Sequence, residues 1–435
     1  MLVGIGMSVL DASMSNVALP TIARELDASA AAVVWIVNAY GLTLVMTLLP
    51  MSAIGERAGF KRLFKIGLLL FIVASAASAF APSLPWLLVC RVLQGLGGSA
   101  IMCLFGALVR HIYSPKDIGR GIGINAMMVG VMSVLGPTIG SFILSVASWQ
   151  WIFGVNVPIG LLALRGVRYL PDVAPIKGRF DWQSACLSMI TVGLVIVGVD
   201  YLSTYPLQSV SLIVLGAITG VVLVRRSNQQ TAPLVPVDLL KVAPLRYAIA
   251  ASLCTFAAQM STFISLPFYL QQTLHRPQSS VGMLMAAWPM GAALIALIAG
   301  RMSNHYPVAV LSGIGAGAMA TGVAVIVLMP DSVSDVWLML AMALAGVGFG
   351  FFQTPNNRVI IGSAPRHRSG ALGGLQATTR VFGQTFGGAV VASAFSLSVG
   401  IGPTLGLWVG IVFASLAVLV NVIRHRQVGV SRSDG

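Results

Sequence analysis

An aspartate stands at position 11 in the apolar run MLVGIGMSVLDASMSNVALPTIA, and an arginine stands at position 91 in WLLVCRVLQGLGG. Asp11 is the only acid well inside an apolar segment. A carboxylate held in lipid is expensive and usually functional, and its natural chemistry is to bind or move a proton or a cation. A guanidinium at a similar depth is its natural counter-ion. Two plainer readings stand beside this one. Asp11 could bond backbone only, and Arg91 could snorkel alone to the outer headgroups. The four cysteines, Cys90, Cys103, Cys186 and Cys254, form no CxxC pair and read as small packing residues. No metal-ligand spacing appears, and His111, His275, His305, His367 and His425 all fall at segment ends or in loops.

The composition names the solvent these residues sit in. Hydrophobic residues make up 57% of the chain and charged residues 9%, and the mean hydropathy is +0.90. A water-facing surface needs roughly 25% charge, so the chain is expected in lipid. Apolar runs of about 20 residues exceed the roughly 10-residue alternating strands of a membrane barrel, which makes the fold all-α and integral to the membrane. Fourteen spans are predicted: roughly 1–22, 33–54, 63–81, 86–109, 121–146, 150–169, 183–202, 209–224, 247–270, 280–299, 307–328, 336–357, 370–397 and 403–423.

The net charge of +14 follows from topology rather than from nucleic-acid binding. Basic residues gather in alternate loops, among them Arg57, Lys61, Arg62 and Lys65, then Lys177 and Arg179, then Arg358, Arg366 and Arg368, then Arg424, Arg426 and Arg432. Of the 26 Lys and Arg, 22 fall on this side, counting Arg165 and Arg168 at the end of the sixth span; Arg24 and Arg276 fall on the other side, and Arg91 and Arg380 lie deep within spans. The positive-inside rule then places both termini in the cytoplasm, with the chain a multi-pass protein of the cytoplasmic (inner) membrane. No cleavable signal peptide is expected. The chain opens directly in the first span without a basic leader, which points to a short cytoplasmic segment before residue 1. Trp35, Trp86, Trp149, Trp151, Trp182 and Trp337 fall near span ends and read as an interfacial belt, whereas Trp288 lies mid-span.

With this topology the first span runs outward and places Asp11 roughly 16 Å from its outer end. The fourth runs inward and places Arg91 roughly 12 Å from its start. The two heights differ by about 4 Å, within reach of an arginine side chain.

The spans group as an N-terminal bundle of six (1–170), a connector with two extra helices (171–246), a C-terminal bundle of six (247–424) and a tail (425–435). Each half carries a basic loop after its second span, GERAGFKRLFK in the first and the weaker GRMSNHYPVAV in the second. Such internal repetition marks transporters whose halves rock around a central site. The loops leave no room for a catalytic domain outside the membrane. No HExxH, serine/histidine pairing or phosphate loop appears, so the chain is not expected to be an enzyme or ATP-driven.

Five strings, in order and on the expected spans, carry a resemblance: LDASMSNVALP, GERAGFKR, RVLQGLGG, GVMSVLGPTIG and WQWIFGVNVPIG. Together they resemble the fourteen-helix drug:proton antiporter family of the major facilitator superfamily, along nearly the whole chain. The resemblance implies a major facilitator fold of two six-helix bundles plus two linker helices. It also implies a proton-coupled multidrug efflux transporter. In GERAGFKR, Gly59 permits a tight turn, and Glu56, Arg57, Lys61 and Arg62 cluster at the inner membrane face. The resemblance makes Glu56 and Arg57 part of a cytoplasmic latch, although Glu56 stands where the family has Asp and Ser52 replaces the leading glycine. For Lys65 a plain topological role is preferred. In GVMSVLGPTIG, Gly130, Ser133, Gly136 and Gly140 keep one helix face small, and Pro137 bends the helix. Packing explains that face; its link to antiport comes from the resemblance alone. In WQWIFGVNVPIG, Gln150 replaces the family's Arg, Trp149 and Trp151 read as interface anchors, and no substrate contact is assigned. The junction SLSVGIGP between the last two spans is shorter than the family's.

A coupling scheme follows. Burial favours the protonated acid and a neighbouring arginine favours the carboxylate. A rocking motion that alters this balance would let Asp11 load a proton outside and release it inside, with a cationic substrate competing for the carboxylate. Asn16, Asn38, Tyr40, Asn125, Phe256, Gln259 (or Met260), Phe263 and Trp288 are candidates to line the cavity, and their aromatic members would suit lipophilic cations. Packing or lipid contact is the plainer role for each. Gln376, Arg380 and Gln384 share one helix face, where Arg380 would pair with a carbonyl or repel cations. The leading expectation is therefore an exporter of amphipathic, often cationic compounds. It would be driven by the proton gradient with no cofactor, functional as a monomer, with small molecules, protons and the bilayer as partners. An exporter of one metabolite or anion is the alternative, and a membrane-embedded enzyme or sensor is a weaker one.

Overall fold

The structure is a computed structural model of the 435-residue chain. It describes every residue except 29, 115, 176–179, 203–204, 231–232, 331, 364–367, 398–400 and 431–435. Lys177, Arg179, Arg366, His367 and Arg432 lie outside the described residues.

Regular structure among the described residues is helical: α1 (Leu2–Glu25), α2 (Ala30–Ala58), α3 (Phe60–Ala79), α4 (Leu84–Met102), α5 (Phe105–Ile112), α6 (Ile118–Val146), α7 (Gln150–Gly154), α8 (Asn156–Gly166), α9 (Trp182–Asp200), α10 (Pro206–Ser227), α11 (Ala243–Phe268), α12 (Gln278–Met302), α13 (Val308–Leu328), α14 (Asp335–Gly362), α15 (Ser369–Leu397) and α16 (Gly402–Val430). In lipid each apolar run must satisfy its own backbone, which only a helix does within one segment. Helices α4, α10 and α11 open with proline in their first two positions, where no N–H partner is needed. Gly59 joins α2 to α3 at φ +92°, a left-handed conformation that favours glycine. The loop motif's glycine therefore has a backbone reason.

Thirteen helical segments of the described chain are long and apolar enough to cross a membrane. Two of them are interrupted where a single span was expected. Leu84–Ile112 breaks at Cys103–Leu104 between α4 and α5, and Gln150–Tyr169 breaks at Val155 between α7 and α8. Helix α15, the expected thirteenth span, is not among them. It is 29 residues long, but Gln376, Thr378, Thr379, Arg380 and Gln384 dilute its apolar content.

The chain divides into two compact units. The first comprises Met1–Ser114, Val131–Met189 and Pro365–Ala377. Its core joins Leu10, Met14, Ala18 and Ile22 of α1 to Ile36 of α2, Leu87 of α4, and Trp149, Ile152 and Phe153. Glycines bring α3 and α4 together: a Cβ on Gly97 would sit 2.7 Å from the Gly67 carbonyl oxygen. On the other side of α1, a Cβ on Gly136 would overlap Ser13, and one on Gly140 would lie 3.3 Å from Met14 Cα. The small face of the GVMSVLGPTIG helix is thus used within this unit to seat α1.

The second unit comprises Pro115–Gly130, Ile190–Ala364 and Thr378–Gly435. Phe256, Leu266, Trp288, Met319, Leu338, Met342 and Phe349 form its core. Helices α13 and α14 meet through Gly315 and Gly348. Gly130 approaches α12 at Ala293 and Pro289, so this motif glycine also serves close packing.

Exposed side chains are apolar on many helices, Leu207, Leu215 and Ile218 of α10 among them, as a lipid-facing surface requires. Trp86, Trp151, Trp182 and Trp337 are exposed, as a belt would be. Trp149 corrects the expectation of an interface anchor. It is fully buried and packs edge-to-face on Phe153 at 6.1 Å, because the turn before α7 points it into the core. Of the cysteines, Cys90 and Cys103 are buried, Cys254 is half-buried and Cys186 is exposed.

Candidate functional site: a buried carboxylate and its donors

Asp11 and Arg91 are both 0% exposed, and Arg91 Nη1 donates to Asp11 Oδ2 at 2.6 Å. Arg91 does not snorkel. Its Nε donates to the Ile36 carbonyl of α2 at 2.9 Å, and Nη1 also donates to Gln94 Oε1 at 2.9 Å. The guanidinium lies 4.5 Å from the Tyr40 ring centroid and 5.6 Å from that of Phe153, so aromatic faces share its charge. The second carboxylate oxygen, Oδ1, accepts from Asn156 Nδ2 of α8 at 2.6 Å and is 3.5 Å from Gln94 Nε2. Gln94 Nε2 in turn donates to Ser75 Oγ of α3 at 2.8 Å. The carboxylate of α1 thus meets two groups from α4 and one from α8, and α2 and α3 hold the α4 groups in turn, all within the first unit.

The site is nearly but not fully satisfied. Arg91 Nη2 and Asn156 Oδ1 are buried with no hydrogen-bond partner in the structure. A buried charge with all its donors is stable. Unused valences beside it are costly to leave bare, so a proton, a water or a ligand group that bonded to them would relieve that cost.

Sequence reasoning paired Asp11 with Arg91 and counted Tyr40 as cavity lining; the structure puts Tyr40 on the Arg91 guanidinium. It missed Gln94, Ser75 and Asn156. Gln94 follows Arg91 by three residues and so shares its face. Asn156 is an amide inside an apolar run, a signal as available as Asp11 but hidden inside a string read as a motif.

At the other end of α2 stands the GERAGFKR cluster. Glu56 Oε1 accepts from the Ala371 N–H at 2.9 Å, satisfying an otherwise open donor in the first turn of α15. Arg57 Nη1 donates to its own helix at the Ala53 carbonyl, and its guanidinium lies 5.8 Å from the Phe180 ring centroid. Lys61 pairs with the exposed Asp172 at 3.1 Å, while Arg62 and Lys65 are exposed. The Glu56 cap gives a local prediction. Glu56→Ala is expected to weaken the first turn of α15 by about 1 kcal/mol, seen as roughly fivefold faster amide exchange there. Unchanged exchange over residues 369–375 would refute the cap.

The remaining candidates separate. Asn16 is exposed; Asn38 and Asn125 are half-buried, and Asn125 Oδ1 has no partner in the structure. In the second unit Phe256 stacks edge-to-face on Phe349 at 5.7 Å, and Phe263 on Trp288 at 5.3 Å. Phe256 and Trp288 are each 2% exposed, so these two rings are core members. Gln384 Nε2 donates to Gln259 Oε1 at 3.3 Å, joining α15 to α11, and Arg380 is half-buried one turn before Gln384.

A family model described as Major Facilitator Superfamily matches residues 1–388. The chain is 40% identical over 432 residues to "Uncharacterized transporter YebQ" of Escherichia coli (strain K12), covering 98% of this chain and 94% of that protein. It is 29% identical to "Multidrug efflux pump LfrA" of Mycolicibacterium smegmatis, covering 89% and 78%. It is 27% identical to "Riboflavin transporter RibZ" of Clostridioides difficile, covering 91% and 87%. Among solved structures, the human organic anion transporter MFSD10 (TETRAN) superposes with a TM-score of 0.71 at 13% identity over 97% of each chain, a likeness of fold.

Proposed function

The chain belongs to the major facilitator superfamily and is a multi-pass membrane transporter, and from that premise we propose that it exports amphipathic, often cationic compounds in exchange for protons. The observation that carries the proposal is the fully buried Asp11 carboxylate, paired with Arg91 and ringed by neutral donors. Among the described residues it is the one acid set deep in an apolar helix. A proton and a cationic substrate would compete for it, the simplest route to exchange. The family's members are transporters rather than enzymes, and the relative named as a multidrug efflux pump supports a broad substrate range.

The finer assignment belongs to the same reading: the fourteen-helix drug:proton antiporter branch, with α15 as a further span and α9 and α10 between two six-helix bundles. The protein would sit in the cytoplasmic membrane with both termini inside, work as a monomer and need no cofactor beyond the proton gradient. Glu56 and Arg57 would latch its cytoplasmic side.

A second reading, export of one metabolite or anion, is favoured by two observations. One relative is named as a riboflavin transporter, and the second unit holds Arg380 and a Gln259–Gln384 pair with no acid inside its described apolar spans.

Dye efflux in everted vesicles with an imposed pH gradient tests both readings. Asp11→Asn is expected to abolish gradient-driven efflux. Efflux that survives collapse of the gradient, or that ignores the substitution, would sink proton coupling. Proton release on adding anions but not cations would select the second reading.

A further inference from the structure

We propose that Asn156 reads the protonation state of Asp11, by presenting its amide nitrogen to the carboxylate and its amide oxygen to the acid. The inference rests on the reading of Asp11 as a proton site and names the residue through which a proton there is felt by α8.

The two carboxylate oxygens are not equivalent. Oδ2 faces Arg91 Nη1 at 2.6 Å, whereas Oδ1 faces Asn156 Nδ2 at 2.6 Å and, more distantly, Gln94 Nε2. A proton therefore belongs on Oδ1, away from the guanidinium. An ionised carboxylate only accepts, so Asn156 must offer Nδ2 in the ionised state. Once protonated, Oδ1 becomes a donor and needs an acceptor. Gln94 is poorly placed for this, because it turns Nε2 rather than Oε1 toward Oδ1, at 3.5 Å, and reversing its amide would break its bonds with Arg91 and Ser75. Asn156 Oδ1 is buried and has no partner. A half-turn of the amide brings that oxygen to the new O–H. One amide atom is unpartnered in either orientation, so the count of lost hydrogen bonds favours neither state. The proton balance is simple: water supplies one proton to Oδ1, and the same proton returns to water.

The position of Asn156 lets this event reach the backbone. It is the first residue of α8, directly after the break at Val155 that separates α7 from α8.

Among the described residues no other charge competes for the role. Against Asp11, α4 presents Arg91 and Gln94 and α8 presents Asn156, while Tyr40 of α2 lies on Arg91 and Ser75 of α3 bonds to Gln94. Cys90 is the other titratable neighbour on α4, and α7 and residues 131–146 of α6 carry no titratable group. Arg24 and Glu25 of α1, Glu56 and Arg57 of α2, Lys61, Arg62 and Lys65 of α3, and Arg165 of α8 stand at helix ends, and the Met1 amine is ten residues before Asp11.

The test is pH-difference infrared spectroscopy of the full chain in liposomes, with Asp11→Asn identifying the Asp11 carboxyl band. Asn156→Leu removes both amide roles. The lost bond to the carboxylate is charge-assisted and outweighs the lost bond to the acid, so the midpoint of the Asp11 band should rise by about one pH unit. The C=O band should also move to higher wavenumber as its O–H loses an acceptor. Asn156→Asp keeps the shape, removes the donor and adds a like charge, so it should raise the midpoint further; it carries the test if the leucine variant does not fold. A band unmoved in both midpoint and wavenumber would overturn the role of Asn156 and leave Asp11 as a proton site. A native protein with no Asp11-dependent band would remove both.

Discussion

Replacing Arg91 by leucine is expected to destabilise the protein by on the order of 3–5 kcal/mol and to abolish transport. The guanidinium is fully buried and serves the Asp11 carboxylate, the Ile36 carbonyl and the Gln94 amide at once. Its removal leaves a carboxylate buried with only neutral donors, the costly half of a broken pair. Leucine at both positions 11 and 91 removes the stranded charge, so the double variant should recover most of the lost stability while remaining inactive. Thermal melts of the purified variants, with efflux in cells alongside, separate the two effects. Equal stability of Arg91→Leu and the double variant would show that the pair is not coupled.

The second large effect is expected at Gly348. A Cβ there would overlap the Met319 backbone nitrogen and lie 2.6 Å from the Gly315 carbonyl oxygen, and a Cβ on Gly315 would in turn lie 2.7 Å from the Gly348 carbonyl oxygen. These neighbours are backbone and cannot rotate away, so α13 and α14 must separate to admit a side chain. Gly348→Leu is expected to lose at least about 1–3 kcal/mol, the ordinary cost of overpacking. Gly362 lies on the same helix with nothing near its Cβ position. Gly362→Leu should therefore melt within about 0.5 kcal/mol of the native protein. If the two variants melt alike, helix propensity rather than close approach governs α14.

These sites differ in how legible they were. The Asp11–Arg91 pair could be read from sequence because helical rise converts residue counts into depth, and two lone charges at one depth have few other partners. Thirteen long apolar segments were legible for the same reason, since lipid asks a crossing for such a run, whereas α15, the expected thirteenth span, is too polar to be counted with them. The breaks at Cys103–Leu104 and Val155 were not. Both fall inside continuous apolar strings, and no proline lies near Cys103–Leu104. At Val155 the signal, Gly154 before the break and Pro158 after it with no N–H to give the Gly154 carbonyl, was passed over inside a string read as a motif. Trp149 and Trp151 show the limit most directly. They are two residues apart at a span end and alike in type, yet one is fully buried and the other 62% exposed. Direction around a helix start depends on the turn before it, which hydropathy does not encode. Asn156 was hidden differently, by lying within a string read as a whole rather than residue by residue.

The Asp11–Arg91 pair also has an electrical consequence. Two opposite unit charges at 2.6 Å sum to zero, so the resting site presents no net charge to the membrane voltage. A proton on Asp11 leaves Arg91 alone and makes the site singly positive, and a bound monocation does the same. Each such charge carried across the full field is worth about 2.3 kcal/mol per 100 mV. Under the proposed exchange, swapping one proton for one monocation would then be electrically silent. Swapping a proton for a neutral compound would draw current, so potential alone would sort the substrates of this carrier by charge.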